Sequence, residues 1–146
     1  MLASERLFAE SLQKTEQWLT QLVEIGKFAS PEQAYTVLQA VLRTLRDRLT
    51  VDEAAQLGAQ LPVVVRGVYY EGWKPAAMPG RQRTKAEFLG RVAGRLGNCT
   101  VDPAAACRAV FELLERHVSA GEIEDVRHMM HERLRDLWPA REAAAG

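Results

Sequence analysis

Tyr69, Tyr70 and Trp73 stand beside Arg66, Lys74, Arg81, Arg83 and Lys85, the densest mixture of rings and cations in the chain. Aromatic faces stack on bases, and guanidinium forks pair with phosphate or carboxylate. These eight residues are therefore the candidate binding residues, suited to single-stranded nucleic acid or another anionic ligand. A plainer reading competes with this one: tyrosine and tryptophan act as half-buried anchors with a polar tip, and the cations are simply solvated. The two readings separate on Trp73→Ala, which weakens nucleic-acid binding under the first and lowers thermal stability under the second.

Glu124, His128 and His131 recur at i, i+4 and i+7, on one side of a helix. Two imidazoles and a carboxylate within two turns have the chemistry to hold a transition metal. No fourth ligand and no metalloenzyme motif lies near them, so the expectation is an exposed polar face, with no metal and no cofactor. Arg46-Asp47-Arg48 is a third polar group. Asp47 is not four residues from either arginine, whereas Arg43 is, which makes Arg43 its expected surface partner. The alternative for this group is a polar cluster that reaches the loop after residue 69. His117 falls near a helix end, where a partial positive charge suits the helix dipole.

Nucleophilic catalysis finds no footing. There is no glycine-framed serine, and no glycine-rich phosphate loop following a strand. Nineteen basic residues balance nineteen acidic ones, so the molecule as a whole is no polyanion binder. The balance is uneven, because residues 66–95 hold seven basic and two acidic side chains. Cys99 and Cys107 are eight apart, which matches neither a disulfide framework nor a metal-ligand spacing; free thiols, buried or partly buried, are expected. Glu5 and Glu10 near the start argue against an export signal. The longest apolar run, Leu61 to Val65, is too short to span a bilayer. A cytoplasmic protein with no membrane partner is the expectation.

The elements that must position these residues are helices. Apolar residues recur at three and four almost throughout, without sustained alternation at two. A first helix from Leu2 to about Lys27 carries the stripe Phe8, Leu12, Thr15, Leu19, Leu22 and Gly26, flanked by Trp18 and Ile25. Ser30-Pro31-Glu32-Gln33 opens a second, with its apolar face on Ala34, Leu38, Val41, Leu42, Leu45 and Leu49. Thr50 starts a third, which Pro62 breaks, and a short apolar helix follows through Tyr69. Residues 70–83 read as a linker, with two glycines and two prolines. A fourth helix starts at Thr84 and closes at Gly97, a fifth starts at Asp102-Pro103, and a sixth runs from Ser119 to Trp138. Pro139 stops it, and residues 139–146 read as a flexible tail.

The chain also resembles itself. At an offset of 69, Val41, Leu45, Leu49, Glu53, Leu57 and Leu61 fall on Val110, Leu114, Val118, Glu122, Val126 and Met130, and Arg66 and Tyr69 on Arg135 and Trp138. Thr50-Val-Asp-Glu53 and Ser119-Ala-Gly-Glu122 align as capping boxes, in which hydroxyl and glutamate each satisfy a backbone N–H. Such a duplication predicts two three-helix repeats, about residues 2–69 and 84–138, sharing one core in a single all-α domain spanning 1–138.

Leu45-Arg46-Asp47-Arg48-Leu49, then Ala59-Gln60-Leu61-Pro62 and Arg66-Gly67-Val68-Tyr69-Tyr70-Glu71-Gly72-Trp73, resemble the bacterial family called domain of unknown function 2267. Phe88-Leu89 onward resembles the family's second repeat. The resemblance implies an all-helical protein of two related repeats and carries no reaction. The chain departs from the family where the second repeat has Leu-Pro: here it reads Met130-His131, so the sixth helix is expected to run unbroken.

The functional expectation is a non-enzymatic binding protein, acting on a protein partner or on another copy of itself. Nucleic-acid or anionic-ligand binding through residues 66–95 is the alternative, and a metal-dependent enzyme using the histidine face a third.

Overall fold

A computed structural model describes residues 2–80, 84–130 and 132–140. The described residues form seven α-helices: α1 (Ala3–Gly26), α2 (Pro31–Arg48), α3 (Val51–Ala59), α4 (Val63–Tyr70), α5 (Lys85–Leu96), α6 (Pro103–His117) and α7 (Ala120–Met129). Two 3₁₀ segments, Pro75–Ala77 and Glu132–Leu137, complete them, and no strand occurs among the described residues. The fold is all-α.

Helix starts lie where capping chemistry placed them. Ser30 Oγ accepts from the Gln33 N–H at 3.1 Å, and Gln33 Oε1 accepts from the Ala29 N–H at 2.8 Å. Pro31 occupies the first turn, where no N–H is needed. Thr50, Thr84, Asp102 and Ser119 likewise accept from the backbone N–H three residues on. Gly97 follows α5 at φ 58°, a left-handed position that glycine takes without a Cβ penalty.

The centre of the molecule is α2 and α6. Val37, Val41, Leu42 and Leu45 on one, and Cys107, Val110, Phe111 and Leu114 on the other, are fully enclosed. Around this pair, α1 packs on both helices, α5 on both, α4 on α2, and α7 on α6 and α3. One continuous core results, drawing residues from every α-helix and from the 3₁₀ segment 132–137. Truncating a leucine at its centre, such as Leu45, costs about 2–5 kcal/mol.

Two expectations need correction. The sixth helix does not run to Trp138. It ends at Met129, Met130 is extended (ψ 144°), and residues 132–137 form a 3₁₀ helix. A straight helix would carry Trp138 about 13 Å along the axis beyond Met129, away from the core. The turn instead lays Trp138 flat on Phe111, with centroids 4.3 Å apart and planes 9° from parallel. Core packing ends this helix without a proline. The second correction concerns α1: its buried residues are Trp18 and Leu22, whereas Phe8 and Leu12 of the expected stripe are exposed. The helix outruns the core it packs on.

Candidate functional site

The aromatic-basic residues come together, mostly as internal structure. Arg66 Nε donates to the Gly58 carbonyl at 2.8 Å, and its Nη2 to the Ala59 and Leu61 carbonyls at 3.1 and 2.9 Å. A cation thus caps the carbonyls at the end of α3, where that of Gly58 also accepts from the Leu61 N–H at 3.1 Å. Tyr69 is enclosed and its hydroxyl donates to the Ala54 carbonyl at 2.8 Å; burial raises its pKa, so the phenol stays neutral. Tyr70 meets Tyr69 edge-on at 5.0 Å and Trp73 at 5.3 Å. The Tyr70 ring also lies over Gly58, in space that any Cβ there would fill. Trp73 is half-buried against the core, with its Nε1 enclosed and without a hydrogen-bond partner among the described residues. Lys74 is exposed. Lys85 pairs with Asp136 at 2.8 Å, tying the start of α5 to the 3₁₀ segment 132–137. Arg81 and Arg83 lie outside the described residues.

The Arg46-Asp47 group is the cluster that reaches the loop, and the expected Arg43–Asp47 surface pair is not formed. Arg46 is 3% exposed; its Nε donates to Asp47 Oδ1 at 2.8 Å, and its Nη1 to the Tyr69 and Glu71 carbonyls, both at 2.8 Å. Arg95 from α5 reaches the other Asp47 oxygen at 2.7 Å and Thr44 Oγ1 at 2.9 Å. Arg43 turns instead to the Val68 carbonyl at 2.9 Å. The Gly80 N–H closes the loop onto the Asp47 carbonyl at 2.6 Å. Spacing along one helix could not show this, because the partners come from α4, α5 and the loop.

The expected histidine face is seen in part. His128 contacts Glu124 at 3.0 Å across one turn, and His131 lies outside the described residues. His117 is not a solvated cation at a helix end: its ring stacks on Trp18 at 4.6 Å, and its Nε2 meets Gln21 Oε1 at 2.7 Å. Burial, then Arg116, lowers its pKa. Cys107 is buried and its thiol is pushed up to about 12, while Cys99 is half-buried; both are free.

Two features went unread in the sequence. The first is an apolar surface. Of the large apolar side chains left exposed among the described residues, Leu2, Leu7 (76%), Phe8 (58%), Leu12 (55%) and Val63 (64%) lie at the start of α1 and of α4. Between these helices runs a groove of about 410 Å³ lined by Phe8, Leu12, Val63 and Val64, with Ser4, Glu5 and Ser11 at its side. The signal was present: the α1 stripe begins ten residues before Trp18, the first buried side chain of that helix.

The second is a carboxyl pair. Thr50 and Ser119 accept from the Glu53 and Glu122 N–H groups, as capping boxes require. The glutamates do not complete the boxes. Both are buried and meet across the seam between α3 and α7, together with Asp125. At the same seam Gln60, at the end of α3, exchanges two hydrogen bonds with Ser119, at the start of α7, at 3.0 and 2.8 Å.

The class this defines is an all-helical protein with one shared core, a loop clamped by a buried arginine–aspartate cluster, and an apolar helix end. The chain belongs to the family described as "Uncharacterized conserved protein (DUF2267)", whose model matches residues 15–137. The α1 part of the apolar surface precedes that span. No curated protein matches the chain. Among the described residues, no helix is long and apolar enough to cross a membrane.

Proposed function

We propose that this is a bacterial, cytoplasmic, non-enzymatic helical protein that works by self-association, a second copy docking on the apolar surface of α1 and α4. The observation that supports it is the apolar groove of Phe8, Leu12, Val63 and Val64, with Leu2 and Leu7 exposed on the same stretch of chain. A contiguous exposed apolar patch rimmed by charge is the mark of an interaction surface. The second copy is the occupant that fits, because α1 supplies both the groove wall and an amphipathic helix able to lie along it. Glu5 and Arg6 at one end of this stretch, and Glu10 and Lys14 at the other, let two antiparallel copies set opposite charges against each other. Light scattering after size exclusion tests the reading: a dimer is expected, and Leu7→Glu with Phe8→Glu should yield a monomer with unchanged helicity that melts at a temperature independent of concentration, since both side chains are exposed in one copy. A wild-type protein that stays monomeric as its concentration rises would overturn it.

The same reading takes the chain as two tandem three-helix repeats. Support comes from bonds repeated 69 residues apart: Arg66 to the Gly58 carbonyl, and Arg135 to the Arg127 carbonyl at 3.1 Å. An experimental structure in which α2–α3 and α6–α7 fail to superpose would end that part. Nucleic-acid binding through residues 66–95 has less support, since Arg66, Lys85 and Arg95 already have carbonyl or carboxylate partners. Retention of single-stranded nucleic acid on filters at low salt, lost steeply at moderate salt, would favour it instead.

A further inference from the structure

Glu53 and Glu122 occupy the third positions of α3 and α7, and they are 6% and 7% exposed. Each has an Oε1 that is closed to solvent and has no hydrogen-bond partner among the described residues. Asp125, one turn beyond Glu122 and exposed, brings a third carboxylate to the edge of the pair. One oxygen from each of the three lies within 4.8 Å of the other two. None of the three forms an ion pair with a described lysine, arginine or histidine. A buried carboxylate oxygen without a donor is costly, and two facing each other are more so.

We propose that Glu53, Glu122 and Asp125 form a binding site for a hard divalent cation, of the Mg²⁺, Ca²⁺ or Mn²⁺ class, at the seam between α3 and α7. The donor set is oxygen alone, which selects hard cations over the zinc and copper class. Two ligands of one ion lie at most two metal–oxygen lengths apart, roughly 4.2 Å for Mg²⁺ and 4.8 Å for Ca²⁺; the three oxygens fall inside the wider limit, and a small inward shift of exposed Asp125 closes them on one ion. Water supplies the remaining ligands, and exposed Asp125 provides the way in. The cation gives the facing glutamate carboxylates a partner and joins α3 to α7, where, among the described residues, Gln60 and Ser119 otherwise supply the polar contact.

A proton is the competitor. Burial, then Glu53 and Asp125, push the Glu122 carboxyl up to about 8. Tyr69 faces the pair from α4, and its neutral phenol adds no charge. If a shared proton alone serves the pair, the folded state holds a proton that the unfolded carboxyl releases near 4.5. Stability would then fall as pH rises from that value toward about 8.

The test uses the full chain, stripped with chelator and held above the Glu122 value, with Mg²⁺, Ca²⁺ and Mn²⁺ titrated singly by calorimetry and thermal melting. At least one cation is expected to bind saturably, one per chain, and to raise the melting temperature. Asp125→Asn should weaken that binding roughly tenfold or more while the metal-free protein melts no lower, since a charge that repels Glu122 is gone. Glu122→Gln should abolish it while the metal-free protein melts higher, which shows that the variant folds. Overturning results are no saturable binding by any of the three, with stability following the proton curve alone, or binding undiminished in both variants.

Discussion

Gly58–Arg66 and Arg127–Arg135 lie 69 residues apart; both end a helix, yet they continue in different ways. In the first, α3 stops before Pro62, Arg66 gathers three carbonyls, and a new α-helix leads into the Tyr69–Tyr70–Trp73 ladder. In the second, no proline is present, Arg135 binds one carbonyl, and the chain settles into a 3₁₀ helix that lays Trp138 on Phe111. In both stretches an aromatic residue nine or ten positions past the helix end, Trp138 or Tyr69, returns to the core. Proline accompanies that return in one stretch and is dispensable in the other. The first stretch also carries a long loop, and the buried Arg46–Asp47–Arg95 cluster holds it; the offset positions are Glu115 and Arg116, near the surface.

The comparison breaks most visibly at Asp47. Asp47→Ala leaves the Arg46 guanidinium buried without its anion and should cost about 3–5 kcal/mol in urea unfolding. Arg116→Ala at the offset position should change stability by about 0.5 kcal/mol or less, because its pair with Glu112 is exposed. Equal effects at the two sites would remove the distinction between a clamped and an unclamped half. Next in size, Arg66→Met should lose about 2–3 kcal/mol and Arg135→Met about 1 kcal/mol, in keeping with three charge-assisted bonds against one. The smallest effect belongs to Pro62→Ala: about 0.4–1 kcal/mol through the freer unfolded chain, with far-UV circular dichroism unchanged. A gain in helicity there would show that the proline, and not the core, separates α3 from α4.

Much of the architecture was legible in the residues. Ser30-Pro31, Thr50, Thr84, Asp102-Pro103 and Ser119 mark helix starts by capping chemistry that acts within three residues, and the structure has helices at each. Gly97 marks a stop for the same local reason. The stripe of α2 and its offset copies Val110, Leu114 and Val118 identified the core, since helical period alone sets which side chains share a face. The aromatic-basic segment was legible as a group but not in its use. Arg66 and Tyr69 point inward to carbonyls that only the fold brings within reach.

What the sequence determined by itself is therefore short-ranged: all-helical composition, the caps and the apolar faces, each decided within about one or two turns of chain. Tertiary structure alone decided that α7 ends at Met129, that Asp47 is held by Arg46 and Arg95, and that the start of α1 runs past the core with its apolar side chains uncovered. It also turned Glu53 and Glu122 from cap residues into a facing pair. A glutamate at the third helical position can reach its own cap or a neighbouring helix; which one it meets depends on what packs beside it, and that partner lies 69 residues away in the chain.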